Sequence, residues 1–550
     1  MEMKVVSSLE KVCSPQFRYL PEPAVFTALA GEKVNFQLAV DLGDTAAYAR
    51  PEIISPLQDA IQLYAVKNIV MDVAKSEQFG ADADYLTAEP GQMPDLLMPI
   101  DEQNGYIMHQ NHCLVVWCRV AVPPATAAGT YDVTVSMQCT NAWDKSVFSL
   151  QKTVTILVLP QELPQQSLIF TQWFHVDCIA DAHGTPIYSE AHWQMIERYM
   201  HTAAELGMNM ILTPVITPPL DTAIGSRRPC TQLVKIEKSG DTYQFDFSLL
   251  RRWIALARKC GIQYFEISHL FSQWGLAYSP NILVWENGEE QYLFGWHVKA
   301  NDARYRQFLE QFLPALLAFL KSEGVDKQCA FHISDEPSLS HLEAYRYACD
   351  IVKPYLTDAV HMEAISDFAF YENGLIQTPV CATNEIDAFL EHNVENLWAY
   401  YCCGQGDKVG NRFMAMPSYR NRILGLQLYK YNIKGFLQWG YNFYRSQFSL
   451  YPINPYVTTS SDGAFPSGDP FSVYPGKDGP LKSLRAVVFQ EALQDIEVCK
   501  CLEQYIGHEK VVALIEQEAG MEITFSDYPR NADFIPAVME KIKQMIQTYA

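Results

Sequence analysis

The sequence lacks most of the short signatures by which enzymes can be sorted. It has no CxxC pair, and its closest cysteines, Cys402-Cys403 and Cys499-x-Cys501, do not have zinc-knuckle spacing. No HExxH, GxSxG or Walker loop occurs, which argues against a zincin, a serine-hydrolase elbow and a P-loop. Gly404-Gln405-Gly406 with Gly410 has the wrong spacing for a dinucleotide fingerprint. His109-x-x-His112 reads as a surface or structural pair, so no metal is expected. Basic residues are few, 41 against 63 acidic ones. The resulting net charge of -22 repels nucleic acid and anionic membrane, so neither is an expected partner. The start, Met1-Glu2-Met3-Lys4-Val5-Val6-Ser7-Ser8, has no signal-like apolar run, and charge interrupts every later apolar stretch. The expectation is a cytoplasmic protein whose 14 scattered cysteines are free thiols.

What is present is a large apolar fraction, 49%, with only 19% charged residues, enough for two or three cores in 550 residues. The 28 Phe, 30 Tyr and 10 Trp fit either an aromatic-rich cleft for sugar rings or the ordinary packing of a large β-rich protein. Up to residue 165 the chain reads as short strands between turns. Examples are Lys33 to Val40, Leu114 to Val122, Gly129 to Met137 and Val154 to Leu159, and the expected domain over 1–165 is an antiparallel β-sandwich. From Ser167 the rhythm changes to strands alternating with amphipathic helices. About eight strand candidates follow, beginning at Leu168, Met210, Tyr264, Cys329, Val360, Val380, Leu397 and Gly435. That number predicts a (β/α)8 TIM-type barrel over 166–505, with a C-terminal helical extension over 506–550. The loop from about Arg445 to Leu481 is long enough to be functional, and its prolines and aromatics favour an ordered lid.

Asp335-Glu336-Pro337 is the strongest local feature, because it follows a strand at the end where barrel active sites form. Adjacent carboxylates raise each other's proton affinity, so one stays protonated near neutral pH and can act as a general acid. Acidic residues before a helix N-terminus are also favoured by its dipole, and both readings stand on these residues alone.

His332-Ile333-Ser334-Asp335-Glu336-Pro337 resembles the catalytic strand of glycoside hydrolase family 123, within the wider group called domain of unknown function 4091. Four further segments are similar to the same group. They are Trp173 to Asp177, Glu266 to Gly275, Gly435 to Asn442, and Tyr474-Pro475-Gly476 with Gly479-Pro480 and Ser483-Leu484-Arg485. Pro94-Asp95-Leu96-Leu97 resembles the family's N-terminal part, and Gln490 to Asp495 departs from the family pattern in a helix read as structural.

The resemblance implies an exo-acting retaining β-N-acetylgalactosaminidase working by substrate-assisted catalysis, with no metal or organic cofactor. Glu336 would be the general acid/base, and Asp335 would orient the 2-acetamido group. The expected partner is a carbohydrate ending in an amino sugar. Expected substrate-binding residues are His175, Asp177, His269, Trp274, Asp367, Tyr400, Trp439 and Asn442. Two alternatives remain: a glycosidase for a sugar without the N-acetyl group, with Asp367 or Glu266 as nucleophile, or an inactive sugar-binding barrel.

Overall fold

The computed structural model describes residues 1–13, 15–100, 105–356 and 359–549. Its contacts gather into two units. The first combines Met1–Ser167, Gly406–Asn432 and Leu481–Ala550. One of its five-stranded sheets has the order Glu2–Ser7, Lys33–Asp41, Cys113–Ala121, Ile61–Met71, Gly91–Pro99, antiparallel throughout. The other orders Val25–Ala30, Val147–Glu162, Gly129–Asn141, Ala47–Ile54 and Tyr106–Met108, and here Val25–Ala30 runs parallel to its neighbour. Side chains of both sheets share one apolar core that includes Phe36, Leu38, Val116, Val135 and Ile156.

Lys33–Asp41 alternates as expected, yet its polar positions Asn35 and Gln37 are buried too. Polar groups inside a protein must be paired: Gln37 donates to the Ser7 and Glu10 carbonyls at 2.7 and 2.8 Å, and the helix Leu484–Ile506 supplies the partner of Asn35. Asn35 donates to Glu491 at 3.0 Å, and Arg119 donates to Gln490 at 2.6 Å. Glu491 and Asp495 also hold Arg422, at 3.1 and 2.8 Å. Asp95 and Arg485, from two of the family-like motifs, form a buried bidentate pair with both bonds 2.9 Å.

The second unit, Leu168–Gln405 with Ile433–Pro480, is a closed barrel of eight parallel strands. These are β1 (Ile169–Gln172), β2 (Met210–Thr213), β3 (Tyr264–Ile267), β4 (Cys329–Phe331), β5 (Val360–Ile365), β6 (Thr378–Ala382), β7 (Trp398–Tyr400) and β8 (Gly435–Gln438). Pairing of β1 with β8 closes the ring. Inward residues recur at every second position, as strand geometry requires: Met210 and Leu212, Met362 and Ala364, Val380 and Ala382, Trp398 and Tyr400. Gly435 is needed where β8 passes Trp398, since a Cβ there would lie 2.2 Å from the indole.

Helices cover the outside. Glu190–Glu205 is capped by Ser189, whose hydroxyl accepts the His192 N–H. Ala303–Ser322 buries Phe308, Phe312, Leu316 and Leu320 on one face. Ahead of Leu342–Val352 a capping box joins Ser338 and His341. The hairpin Lys235–Ser239/Thr242–Asp246 belongs to a four-stranded sheet completed by Ile282–Glu286 and Glu289–Phe294. Among the described residues no helix is long and apolar enough to cross a membrane.

Candidate active site

The C-terminal ends of the strands open into a cavity, the place where barrel enzymes hold their chemistry. Beyond β4 the chain runs on through His332, Ile333 and Ser334 to Asp335 and Glu336. The segment after β3 is zipped onto it. Phe271 N–H donates to the Ile333 carbonyl at 2.9 Å, the Ser334 hydroxyl to the Ser272 carbonyl at 2.9 Å, and Trp274 N–H to the Asp335 carbonyl at 3.4 Å. In a regular strand Asp335 and Glu336 would face opposite ways. Glu336 instead has a φ of +43°, a left-handed conformation, and both side chains line the cavity. The following Pro337 keeps Glu336 out of the right-handed helical region.

Both carboxyl groups are buried. Gln273 donates its side-chain N–H to Asp335, while Tyr400 donates to Glu336 at 2.6 Å and Trp274 also bonds Glu336. Burial pushes both proton affinities up, and the Glu336 charge pushes Asp335 further. Two neighbouring desolvated carboxyls titrate as a pair, the second proton leaving less readily than the first. Glu336 has two donors and Asp335 one, so in the free protein the charge is favoured on Glu336 and the proton on Asp335.

Behind the pair lies a fully buried ion triad. His332 Nε2 bonds Glu266 at 2.8 Å, and Nδ1 bonds Glu363 at 3.1 Å. Burial alone would lower the imidazole's proton affinity, but the two carboxylates hold it up, at about 10. Glu363 also accepts the N–H groups of Ile333 and Ser334, at 3.1 and 3.0 Å, and the Tyr345 hydroxyl at 2.9 Å. Glu266 accepts Thr171 and the Trp173 indole, each at 2.7 Å. The triad thus fixes the backbone leading to Asp335 and one aromatic wall of the cavity. His269, His332 and Glu363 bring ligand-type atoms within 4.8 Å of one another. Both His332 nitrogens are already bonded to carboxylates, and an imidazolium has no lone pair for a metal.

Of the residues expected at the site, His175, Trp274, Tyr400 and Trp439 line the cavity with the acidic pair. His175 is neutral, its proton affinity lowered by burial to about 3. Its Nδ1 accepts from Arg228 at 3.1 Å and its Nε2 donates to the Trp439 carbonyl at 2.9 Å, so both ring nitrogens are committed. Trp439 donates to Asp469 at 2.9 Å, which turns its ring toward the cavity.

Asp177, His269, Asp367 and Asn442 stand outside the lining. Asp177 is buried between Arg228 and Arg445, which offset its burial and hold it down at about 2. Asn442 clamps the His175 backbone, accepting its N–H at 2.9 Å and donating to its carbonyl at 3.0 Å. His269 stacks on His332 at 4.3 Å, and neither of its nitrogens has a hydrogen-bond partner among the described residues. Asp367 accepts the Ala369 N–H at 3.0 Å, the work of a turn residue.

The cavity also contains residues the sequence reading did not select. Asp221, from the loop after β2, has its carboxyl pushed up to about 6 by burial and accepts the Phe448 N–H at 2.9 Å. Cys402 and Cys403, just past β7, line the wall as thiols whose proton affinity is raised, so neither is a ready nucleophile. Phe465 comes from the long loop after β8.

A family model described as glycoside hydrolase 123, catalytic domain, matches residues 173–502. Among solved structures, a family 123 glycoside hydrolase from Clostridium perfringens, described in connection with glycolipid glycan hydrolysis, is 15% identical. The match covers 100% of this chain and 98% of that one, with a TM-score of 0.75, a likeness of fold. A β-glucuronidase from Parabacteroides merdae is 10% identical, covering 89% of this chain and 51% of that one, at a TM-score of 0.31. A family 5 mannosidase from Rhizomucor miehei is 12% identical, covering 60% and 94%, at 0.32. No curated protein matches the chain.

Proposed function

Since the chain belongs to glycoside hydrolase family 123, we propose that it removes terminal β-linked N-acetylgalactosamine with retention of configuration, the substrate's own acetamido group serving as nucleophile. The observation that carries this reading is the adjacent carboxyl pair, Asp335 and Glu336, lining a single cavity with both proton affinities raised by burial. Asp367 and Glu266, the carboxylates first considered as conventional nucleophiles, do not line that cavity.

In this mechanism the acetamido N–H donates to Asp335, which supports the carboxylate form there and leaves the shared proton on Glu336. The acetamido carbonyl oxygen attacks the anomeric carbon as Glu336 protonates the departing glycosidic oxygen. Glu336, now a carboxylate, then takes a proton from the water that opens the cyclic intermediate, so the anomeric centre is inverted twice. Tyr400 and Trp274 stabilise Glu336 in its charged phase. Trp173 and Trp439 present apolar faces to the sugar ring. The substrate is a glycan, and the glycolipid association of the Clostridium perfringens protein makes a glycolipid-derived glycan our first choice.

A second reading rests on Asp221, a carboxyl in the same cavity that could act as a conventional nucleophile on a sugar without the acetamido group. Hydrolysis of 4-nitrophenyl β-N-acetylgalactosaminide, beside the β-galactoside, separates the two. We expect turnover of the amino sugar that falls about 10²–10⁴-fold in Glu336→Gln, the usual worth of a general acid. Asp335→Asn should be similarly poor, and azide should not rescue it. Preference for the galactoside, with azide rescue of Asp221→Asn, would favour the second reading.

A further inference from the structure

The wall of the catalytic cavity carries two thiols that the proposed reaction does not use. Cys402 and Cys403 lie just past β7, and both line the cavity with Glu336 and Tyr400. Of the 14 cysteines they are the only two adjacent in sequence. Both are half-buried, and they are hydrogen-bonded to each other. Cys381, on the neighbouring β6, alternates with the inward Val380 and Ala382 and so faces away from the barrel interior.

A tight turn holds the pair in place. Cys402 N–H donates to the Gln405 side-chain oxygen at 2.7 Å, and Gln405 N–H returns to the Cys402 carbonyl at 3.3 Å. Gln405 is itself fixed by donating to Asn384 at 2.6 Å. In a regular strand consecutive side chains face opposite ways, but the turn begins where β7 ends and brings both sulfurs to one wall. The bond to Cys403 and burial raise the proton affinity of Cys402. For Cys403 the same bond pulls downward, and burial with the nearby Asp469 and Glu336 charges outweighs it. Thiols kept protonated react slowly with alkylating agents and disulfides, whose chemistry needs the thiolate. A direct bond between the two sulfurs is poorly matched as well. Consecutive Cα atoms are about 3.8 Å apart, whereas disulfides usually span about 4.4–6.8 Å. One larger atom between the sulfurs relieves that mismatch.

We propose that Cys402 and Cys403 form a dithiol trap that captures a trivalent organic arsenoxide and thereby closes the catalytic cavity. Both S–H bonds break and two As–S bonds form, while the arsenoxide oxygen leaves as water with the two thiol protons. Arsenic stays trivalent, so no oxidant or reductant is required. The departing oxygen takes up the protons, so capture does not depend on a preformed thiolate. Sulfur ligands suit soft centres. Once one As–S bond exists the second closes within the molecule, at high effective concentration. The cavity offers about 90 Å³, so the captured group and a sugar ring compete for the same space beside Glu336. Capture stands on the thiol pair alone, and the loss of turnover rests on the function proposed above.

The probe is phenylarsine oxide, one equivalent on the purified native protein. Intact mass should show one phenylarsenic group added with loss of one water. Excess 2-mercaptoethanol should leave the group in place, and 2,3-dimercaptopropanol should remove it. Cys402→Ser and Cys403→Ser should each fail to hold it after washing. Where a variant does not fold, alkylation of the denatured parent adduct decides: it should spare these two cysteines and label the others. Release of 4-nitrophenol from the β-N-acetylgalactosaminide should be lost in the adduct and return with the dithiol. Absence of the adduct, or its survival in both serine variants, would overturn the proposal. So would an adduct on the pair that leaves turnover intact. A parent protein that cleaves no amino sugar defeats the function reading instead, and the masses alone then judge the trap.

Discussion

Tyr400 sets the working range of the acid. Its hydroxyl donates to Glu336 at 2.6 Å and so stabilises the carboxylate against burial, which pushes the other way. A hydrogen bond to a charged group is worth about 1.5–3 kcal/mol, and about 1.4 kcal/mol corresponds to one pH unit. Tyr400→Phe removes a donor from the charged form, so the proton affinity of Glu336 rises. The acidic limb of the kcat/KM profile, which reports the first ionisation of the pair in the free enzyme and places the charge on Glu336, should move up by about 1–2 units. An acidic limb that stays in place would show that another group controls it. At this scale the sequence was informative where residues were contiguous. Asp335 and Glu336 stand together after a strand, and Tyr400 closes another. Asp221 was hidden, because it follows Thr217-Pro218-Pro219-Leu220 with no strand pattern around it, and only the fold carries it to the cavity. His175 and Asp177 stand just after β1, and that position does not reveal that Arg228 already occupies both.

The arginine pair around Asp177 joins separate elements of the barrel. Asp177 lies in the first turn of the helix Val176–His183, Arg228 in the loop after β2, and Arg445 in the loop after β8. All three are buried, and Arg445 also reaches Asp181. Asp177→Asn would leave two guanidinium groups buried beside one fewer carboxylate. Breaking a buried pair from one side costs about 3–5 kcal/mol, so the variant should unfold at clearly lower denaturant concentration. It should also lose activity, since Arg228 fixes His175 and His175 fixes Trp439. A midpoint equal to that of the parent would mean that the network contributes no stability. Elements with strong periodicity are legible in the sequence, among them the barrel strands and the amphipathic helices between them. The strands Ile282–Glu286 and Glu289–Phe294 were not, because Glu286, Glu289 and Glu290 give them the look of a loop. Asn287-Gly288 between them was the available signal: both residues have positive φ, +56° and +84°, the requirement of a tight hairpin turn.

At the scale of the molecule, the first unit is assembled from three separated stretches of chain, and its last helix is one of its inner parts. The helix Phe534–Thr548 buries Phe534, Ile535, Val538, Ile542 and Ile546. Its Lys543 is only 8% exposed and reaches Glu32 at 2.5 Å and the Thr27 carbonyl at 2.8 Å. Thr27 in turn donates to Glu540 at 2.8 Å. The sequence reads as a helical extension over residues 506–550, because no local pattern in an amphipathic helix tells which surface it will cover. Ending the chain after residue 505 tests whether that segment is separable. The truncation would leave Glu32 without its cation, at a cost of about 3–5 kcal/mol, and would also uncover the apolar face against which the helix packs. Domains of ordinary stability have about 5–15 kcal/mol in total. The truncated protein should therefore be poorly soluble, or should lose the thermal transition of this unit at a much lower temperature. The single change Lys543→Ala should give a smaller shift in the same direction, since it removes the charge but keeps the apolar contacts. A truncated chain that melts with the full-length protein would make the helix an appendage, and the buried pair with Glu32 would then contribute nothing to stability.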